Sequence, residues 1–111
     1  MSGYTRLNPS FEKTQVTNIH ATAASGLTIT SETYYTVGPL KLFYIAVKTA
    51  NAINAHTYTA LFTLPWTSEI SIALGTETYS TVNIQANGNV QATPTVNRPA
   101  GSIFYVKGII I

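Results

Sequence analysis

The chain has no cysteine, so it forms no disulfide framework and offers no thiol chemistry, and the redox compartment stays open. Aspartate is absent as well. Charge of either sign is scarce: Asp, Glu, Lys and Arg make up 9% of the 111 residues, where soluble domains average about 25%. The basic residues Arg6, Lys13, Lys41, Lys48, Arg98 and Lys107 stand singly, so no patch is available to neutralise a run of phosphates, and nucleic acid is not an expected partner. The longest apolar run, Leu42 to Val47, falls far short of the roughly 18 residues of a membrane span. No membrane insertion is expected and no signal peptide is read; Met1-Ser2-Gly3 has the character of an expression remnant or of a trimmed boundary.

The chemistry-bearing side chains are correspondingly few. General acids and bases come down to Glu12, Glu32, Glu69, Glu77, His20 and His56. A glycosidase pair could be assembled from two of the glutamates, but nothing singles out a pair, and Glu32 and Glu77 sit at polar positions that read as solvated surface. There is no Gly-x-Ser-x-Gly and no glycine-rich phosphate cradle. His20 and His56 lie on different segments, and hard-cation sites draw on Asp. No catalytic residue, no metal and no cofactor is expected, and His20 reads as a surface or interface histidine.

What is present is apolar and β-forming. With 45% hydrophobic residues the chain is not of the disordered type, and at this size roughly 65% of its surface can be buried in one domain. Beyond residue 25 apolar residues alternate with period two, predicting strands over 27–37, 40–49, 57–63, 69–74, 79–86 and 102–111. Gly38-Pro39 interrupts the first two. Asn87-Gly88 predicts a type I′ hairpin, which needs positive φ at both central residues. The expected fold is an all-β antiparallel sandwich of jelly-roll or Greek-key type, with seven to eight short strands over 26–111. Residues 1–25 read as an N-terminal arm containing one strand. The strand at 40–49 carries Phe43, Ile45 and Val47 on one face and Leu42, Tyr44 and Ala46 on the other. Two apolar faces suit either a central sandwich strand or a face covered by a neighbouring subunit, and with the ending Ile109-Ile110-Ile111 they support an oligomer. Phe43, Ile45 or their opposite-face neighbours, with Ile109, Ile110 and Ile111, are the expected contacts.

The surface is left to Thr, Asn, Ser and Tyr, which suits extracellular and particle-associated β-proteins. Aromatic rings with polar tips can stack on a sugar while hydroxyls and amides reach its oxygens. Tyr35, Tyr44, Tyr58 and Tyr105 alternate with hydrophobic neighbours and read as packing residues. Trp66 follows Leu64-Pro65 in a connection, where it can be a sugar platform or a plug over one end of the sandwich. His56 and Arg98 are the other exposed candidates. If the loops at 50–56, 64–68 and 94–100 share one end or a subunit boundary, Trp66, His56 and Arg98 converge there, and Tyr34 and Tyr79 can line the same cleft if their strands flank it.

The order of features resembles a known family. Val37-Gly38 before a long apolar strand, Leu64-Pro65 after the central strand, the hairpin Ile84-Gln85-Ala86-Asn87-Gly88-Asn89-Val90 and the terminal Ile103-Phe104-Tyr105-Val106 are similar to the β-sandwich heads of tail-tip receptor-binding proteins of phages of Gram-positive bacteria. Related heads occur on baseplate accessory proteins. Trp-Thr-Ser stands here where the commoner pattern continues with proline, and the Asp that some family sites use is missing. The resemblance implies a homotrimeric, non-catalytic head in the virion, extracellular at the tail tip, binding host cell-wall saccharide and contacting other tail or baseplate proteins. A structural connector without a glycan site is the alternative, and a hydrolase the third class.

Overall fold

The structure, a computed structural model, describes residues 13–67, 71–73 and 80–111, with backbone alone at 71–73. Expectations resting on Glu12, Glu69, Glu77, Tyr79 and the turn at 75–77 lie outside them. Among the described residues the chain forms β1 (Lys13–Val16), β2 (Thr22–Ala23), β3 (Leu27–Val37), β4 (Leu40–Thr49), β5 (Thr59–Thr63), β6 (Ser71–Ala73), β7 (Ser80–Ile84), β8 (Asn89–Pro94) and β9 (Ile103–Ile110), and no helix. They build two antiparallel sheets, β1-β3-β4-β9-β6 and β2-β5-β8-β7. This is the all-β sandwich that the period-two patterning predicts.

The connectivity is of Greek-key type. The chain crosses from one sheet to the other between β4 and β5 and again between β8 and β9, while β4 pairs with β9 and β5 with β8. On the opposite flank of that ribbon β6 pairs with β9 and β7 with β8. A ribbon continuing through both layers with a second laid along it is the wrapping of a jelly roll.

Alternation decides which residues enter the core. Tyr34, Phe43, Ile45, Val47, Phe104, Val106 and Ile110 from the five-stranded sheet meet Leu61, Phe62, Val90 and Ala92 from the other, all buried. Phe43 and Phe62 join the layers edge to face at 6.2 Å, and full burial of one such side chain stabilises by about 1.5–3 kcal/mol. β3 and β4 have the bounds expected from sequence, because their alternation is long and uninterrupted. Gly38, at φ 57, with Pro39 joins them through a two-residue loop with Val37 paired to Leu40, the glycine-first pattern of a type II′ turn. A bulge shifts the register between Ile29 and Ser31, and Thr30 Oγ1 donates to the Ala46 carbonyl at 3.2 Å.

Three local expectations are corrected. The hairpin between β7 and β8 is not type I′. Its turn is closed by the Gly88 N–H on the Gln85 carbonyl at 2.9 Å, and Gly88 has φ 94 while Asn87 is not in the left-handed region. The three-residue loop of a type I turn with a glycine bulge accommodates the extra residue. The strand expected from 57 begins at Thr59, because the Thr57 N–H turns back to the Asn54 carbonyl at 3.3 Å. Residues 13–25, expected within an arm with one strand, carry two: β1 pairs with β3 and β2 with β5, so one edge of each sheet comes from this segment.

Candidate functional site

Of the three loops expected to converge, those of His56 and Arg98 do meet, through the bridge between Ile53 and Arg98, while β5 and β8 carry the Trp66 connection to the other end. At one end of β8 the His56 N–H donates to the Pro94 carbonyl at 2.6 Å; at the other the Leu64 N–H donates to the Gly88 carbonyl at 2.8 Å. His56 and Trp66 therefore flank β5 at opposite ends, and its five residues alone span roughly 17 Å. Within one chain the expected cleft of Trp66, His56 and Arg98 does not form.

The His56 end is held tightly. Ile53 and Arg98 exchange both backbone hydrogen bonds at 2.8 Å, and the Ala55 N–H donates to Asn97 Oδ1 at 2.8 Å. His56 is exposed with φ 63, a left-handed conformation costing a non-glycine residue about 1–2 kcal/mol, and the bond to Pro94 holds it there. Arg98 serves the fold rather than an open site: its guanidinium lies 4.3 Å from the Phe104 ring centroid, and Nη2 donates to the Ile103 carbonyl at 3.2 Å.

At the other end Trp66 and Tyr34 meet, as structural parts. The indole is partly buried against the core and edge-on to Tyr34, ring centroids 5.4 Å apart, which is the plug arrangement. Tyr34 is 2% exposed, so it lines no cleft; its place opposite Phe43 in the β3–β4 register turns it inward. The Tyr34 hydroxyl donates to Glu32 Oε1 at 2.7 Å and accepts from the Ala21 N–H at 2.9 Å. The same Glu32 oxygen accepts from the Ala21 N–H at 3.1 Å, and Oε2 lies 3.3 Å from Nδ1 of the exposed His20. Glu32, read from sequence as solvated surface, is thus a clamp on the chain entering β2. The spacing Glu32-x-Tyr34 was the available signal, since residues two apart share a strand face.

Burial works to raise the Glu32 carboxyl, but the bonds from Tyr34, Ala21 and His20, with the His20 charge, hold it below its ordinary value of 4.5. Burial first, then the bond to Glu32 and its charge, push the Tyr34 phenol above its ordinary 10.0. The lowered carboxyl contributes stability that is present above pH 4.5 and is lost as pH falls through its folded value. The raised phenol contributes stability that is present below pH 10.0 and is lost as pH climbs from there. Tyr34→Phe should lower stability by about 1–2 kcal/mol at neutral pH, and Glu32→Gln should flatten the acid limb. Denaturant melts across pH check both; an unchanged acid limb in Glu32→Gln would contradict the clamp.

The outer faces of the sheets differ in chemistry. On the five-stranded sheet, Tyr35, Leu42 and Ile109 stand in one register row, and Tyr44 with Lys107, then Ala46 with Tyr105, in the next two. Tyr44 and Tyr105 are exposed, contrary to their reading as packing residues; period two places them opposite the inward Phe43, Ile45, Phe104 and Val106. A hollow of about 170 Å³ lies among Tyr35, Leu42, Tyr44 and Lys107. Phe43, Ile45 and Ile110, expected at an interface, are instead core residues. Their opposite-face neighbours Leu42 and Tyr44, with Ile109 half-buried and Ile111 exposed, carry whatever contact this face makes.

The outer face of the four-stranded sheet is uncharged and polar. Thr63 Oγ1 donates to Asn89 Oδ1 at 2.8 Å, Gln85 Nε2 to Gln91 Oε1 at 3.4 Å, and Asn83 Nδ2 to the Tyr58 hydroxyl at 2.9 Å. Asn83 pairs with Gln91 and Gln91 with Ala60, so the phenol reaches from the start of β5 across β8 to β7. Tyr58, read from sequence as packing, is 58% exposed, because the strand begins one residue after it. Beside it opens a groove of about 450 Å³ lined by residues 24–25, 52–54 and 57–60. Neither a family model, nor a curated protein, nor a solved structure matches this chain.

Proposed function

We propose that this chain is a non-catalytic binding head that recognises saccharide on a host cell surface, as the phage tail-tip heads it resembles do. The observation that carries the reading is the uncharged face of the four-stranded sheet. Rows of Thr, Asn and Gln end in an exposed phenol whose hydroxyl is fixed by Asn83. Side-chain amides and hydroxyls both donate and accept, as sugar hydroxyls require, and an exposed ring supplies the apolar surface that a pyranose face covers. The resemblance supplies the setting, an extracellular tail tip addressing a Gram-positive wall. The purified chain should be retained by host cells or their wall polysaccharide and leave the polysaccharide intact. Retention only by other virion proteins would favour the connector, and release of sugar fragments the hydrolase.

A second observation bears on assembly: Tyr44 and Tyr105 stand exposed in the two rows that follow Leu42 and Ile109 on the outer face of the five-stranded sheet. Its occupant is a second copy of the chain, within the homotrimer that the resemblance implies. Light scattering should then give a particle of three times 12.0 kDa, and the double substitution Tyr44→Glu, Tyr105→Glu should give folded monomers with native circular dichroism that melt at a lower temperature independent of concentration. A native particle of 12.0 kDa at micromolar concentration contradicts this assembly without touching the fold.

A further inference from the structure

The fold keeps His56 and Arg98 at one end of the sandwich and puts Trp66 at the other, so the three do not share one site. We propose that the saccharide site is the groove beside Tyr58, and that its ligand is a neutral, pyranose-containing glycan with one ring stacked on the phenol. The inference rests on the saccharide-binding reading and adds to it the place and the ligand class.

Three observations meet there. The first is the ring itself: Tyr58 is 58% exposed, yet its hydroxyl accepts from Asn83 Nδ2 at 2.9 Å. A flat ring fixed at its far end presents a face to solvent with little rotamer freedom left to lose, and binding to an ordered platform costs less than binding to a mobile one. The second is the chemistry of the lining. Ser25, Asn54, Thr57 and Thr59 supply hydroxyls and an amide, Ala52 and Ile53 an apolar wall. Among the described residues none that lines the groove carries charge. A uronate, sialate or phosphodiester would give up hydration there without gaining a cation, whereas a neutral hexose or N-acetylhexosamine exchanges water hydrogen bonds for protein ones. The groove's volume of about 450 Å³ lies within the range of small-molecule sites.

The third is the rigidity of the wall. The segment 53–57 is tied at Ile53 to Arg98, at Ala55 to Asn97, at His56 to Pro94 and at Thr57 to Asn54. These bonds keep a non-glycine residue, His56, at φ 63. Strained backbone held by its surroundings is concentrated at ligand clamps. His56 and Arg98 thus belong to the site's scaffold, and the ring that touches the sugar is Tyr58.

The test is an amide-shift titration of the ¹⁵N-labelled full chain with two probes, the neutral and the acidic oligosaccharide fractions released from Gram-positive wall polysaccharide, repeated on Tyr58→Ala and Tyr58→Phe. The neutral fraction should move amides of residues 24–25 and 52–60. Tyr58→Ala should weaken it by about tenfold or more, the loss expected for removing a stacked ring, while Tyr58→Phe, which keeps the ring, should stay within about threefold. Shifts centred on Tyr44 and Tyr105 or on Trp66, or undiminished binding by a folded Tyr58→Ala, would overturn the site and leave the saccharide reading standing. Preference for the acidic fraction would overturn the ligand class. Shifts from neither fraction would overturn the saccharide reading, and the site with it. The mapping on the native chain decides the location even if a variant fails to fold.

Discussion

Gly88→Ala should be among the most destabilising single-methyl additions this fold can receive, lowering stability by about 3 kcal/mol and the melting temperature by roughly 15 °C. Gly88 has φ 94, where an L side chain is strained, and a Cβ there would stand 2.7 Å from the Trp66 carbonyl oxygen and 3.1 Å from that of Leu64. Those atoms are backbone, so neither can swing aside. Relief requires moving the hairpin tip away from the connection after β5, which gives up the bond from the Leu64 N–H to the Gly88 carbonyl. Circular dichroism melts of the two chains check it. A shift under about 3 °C, equivalent to well under 1 kcal/mol in a domain of this size, would show that the tip moves freely.

Trp66→Ala should cost a similar amount, about 3 kcal/mol, near the lower end of values for removing a large aromatic from a core because the indole is only partly buried. The ring closes the Gly88 end of the sandwich. It stands edge-on to Tyr34, whose hydroxyl holds the Glu32 and Ala21 cluster, so its loss opens a cavity beside a buried polar group. The variant should bind 8-anilinonaphthalene sulfonate and melt early. A variant with native stability that had lost saccharide binding would return the indole to the role of sugar platform and contradict its place as a plug.

The two substitutions act on one corner, and that corner shows what the sequence could and could not convey. β3 and β4 were legible to the residue, because alternation inside a strand is a local property and Gly38-Pro39 marks the turn. Which face of β4 turned inward was not legible. Phe43, Ile45 and Val47 and the opposing Leu42, Tyr44 and Ala46 are both apolar, and only pairing with β9 and packing on Phe62 separate core from surface. The burial of Tyr34 and the exposure of Tyr44 and Tyr105 follow from the same choice. The separation of His56 from Trp66, by contrast, was within reach of the sequence. Their loops flank the single strand predicted at 57–63, and the two ends of one strand lie at opposite ends of a sandwich. The Tyr58 platform depended on Asn83, a contact across three strands that no local pattern contains.

The central claim is that an uncharged sheet face ending at Tyr58 holds neutral sugar without turning it over. A crystal structure of the chain soaked with the neutral wall oligosaccharide addresses it most directly. An intact glycan is expected, with one ring lying on the Tyr58 phenol and its hydroxyls within hydrogen-bond reach of Asn54, Thr57 or Thr59; a glycan lying instead on Tyr44 and Tyr105 of the five-stranded sheet, or cleaved in the groove, would contradict the claim.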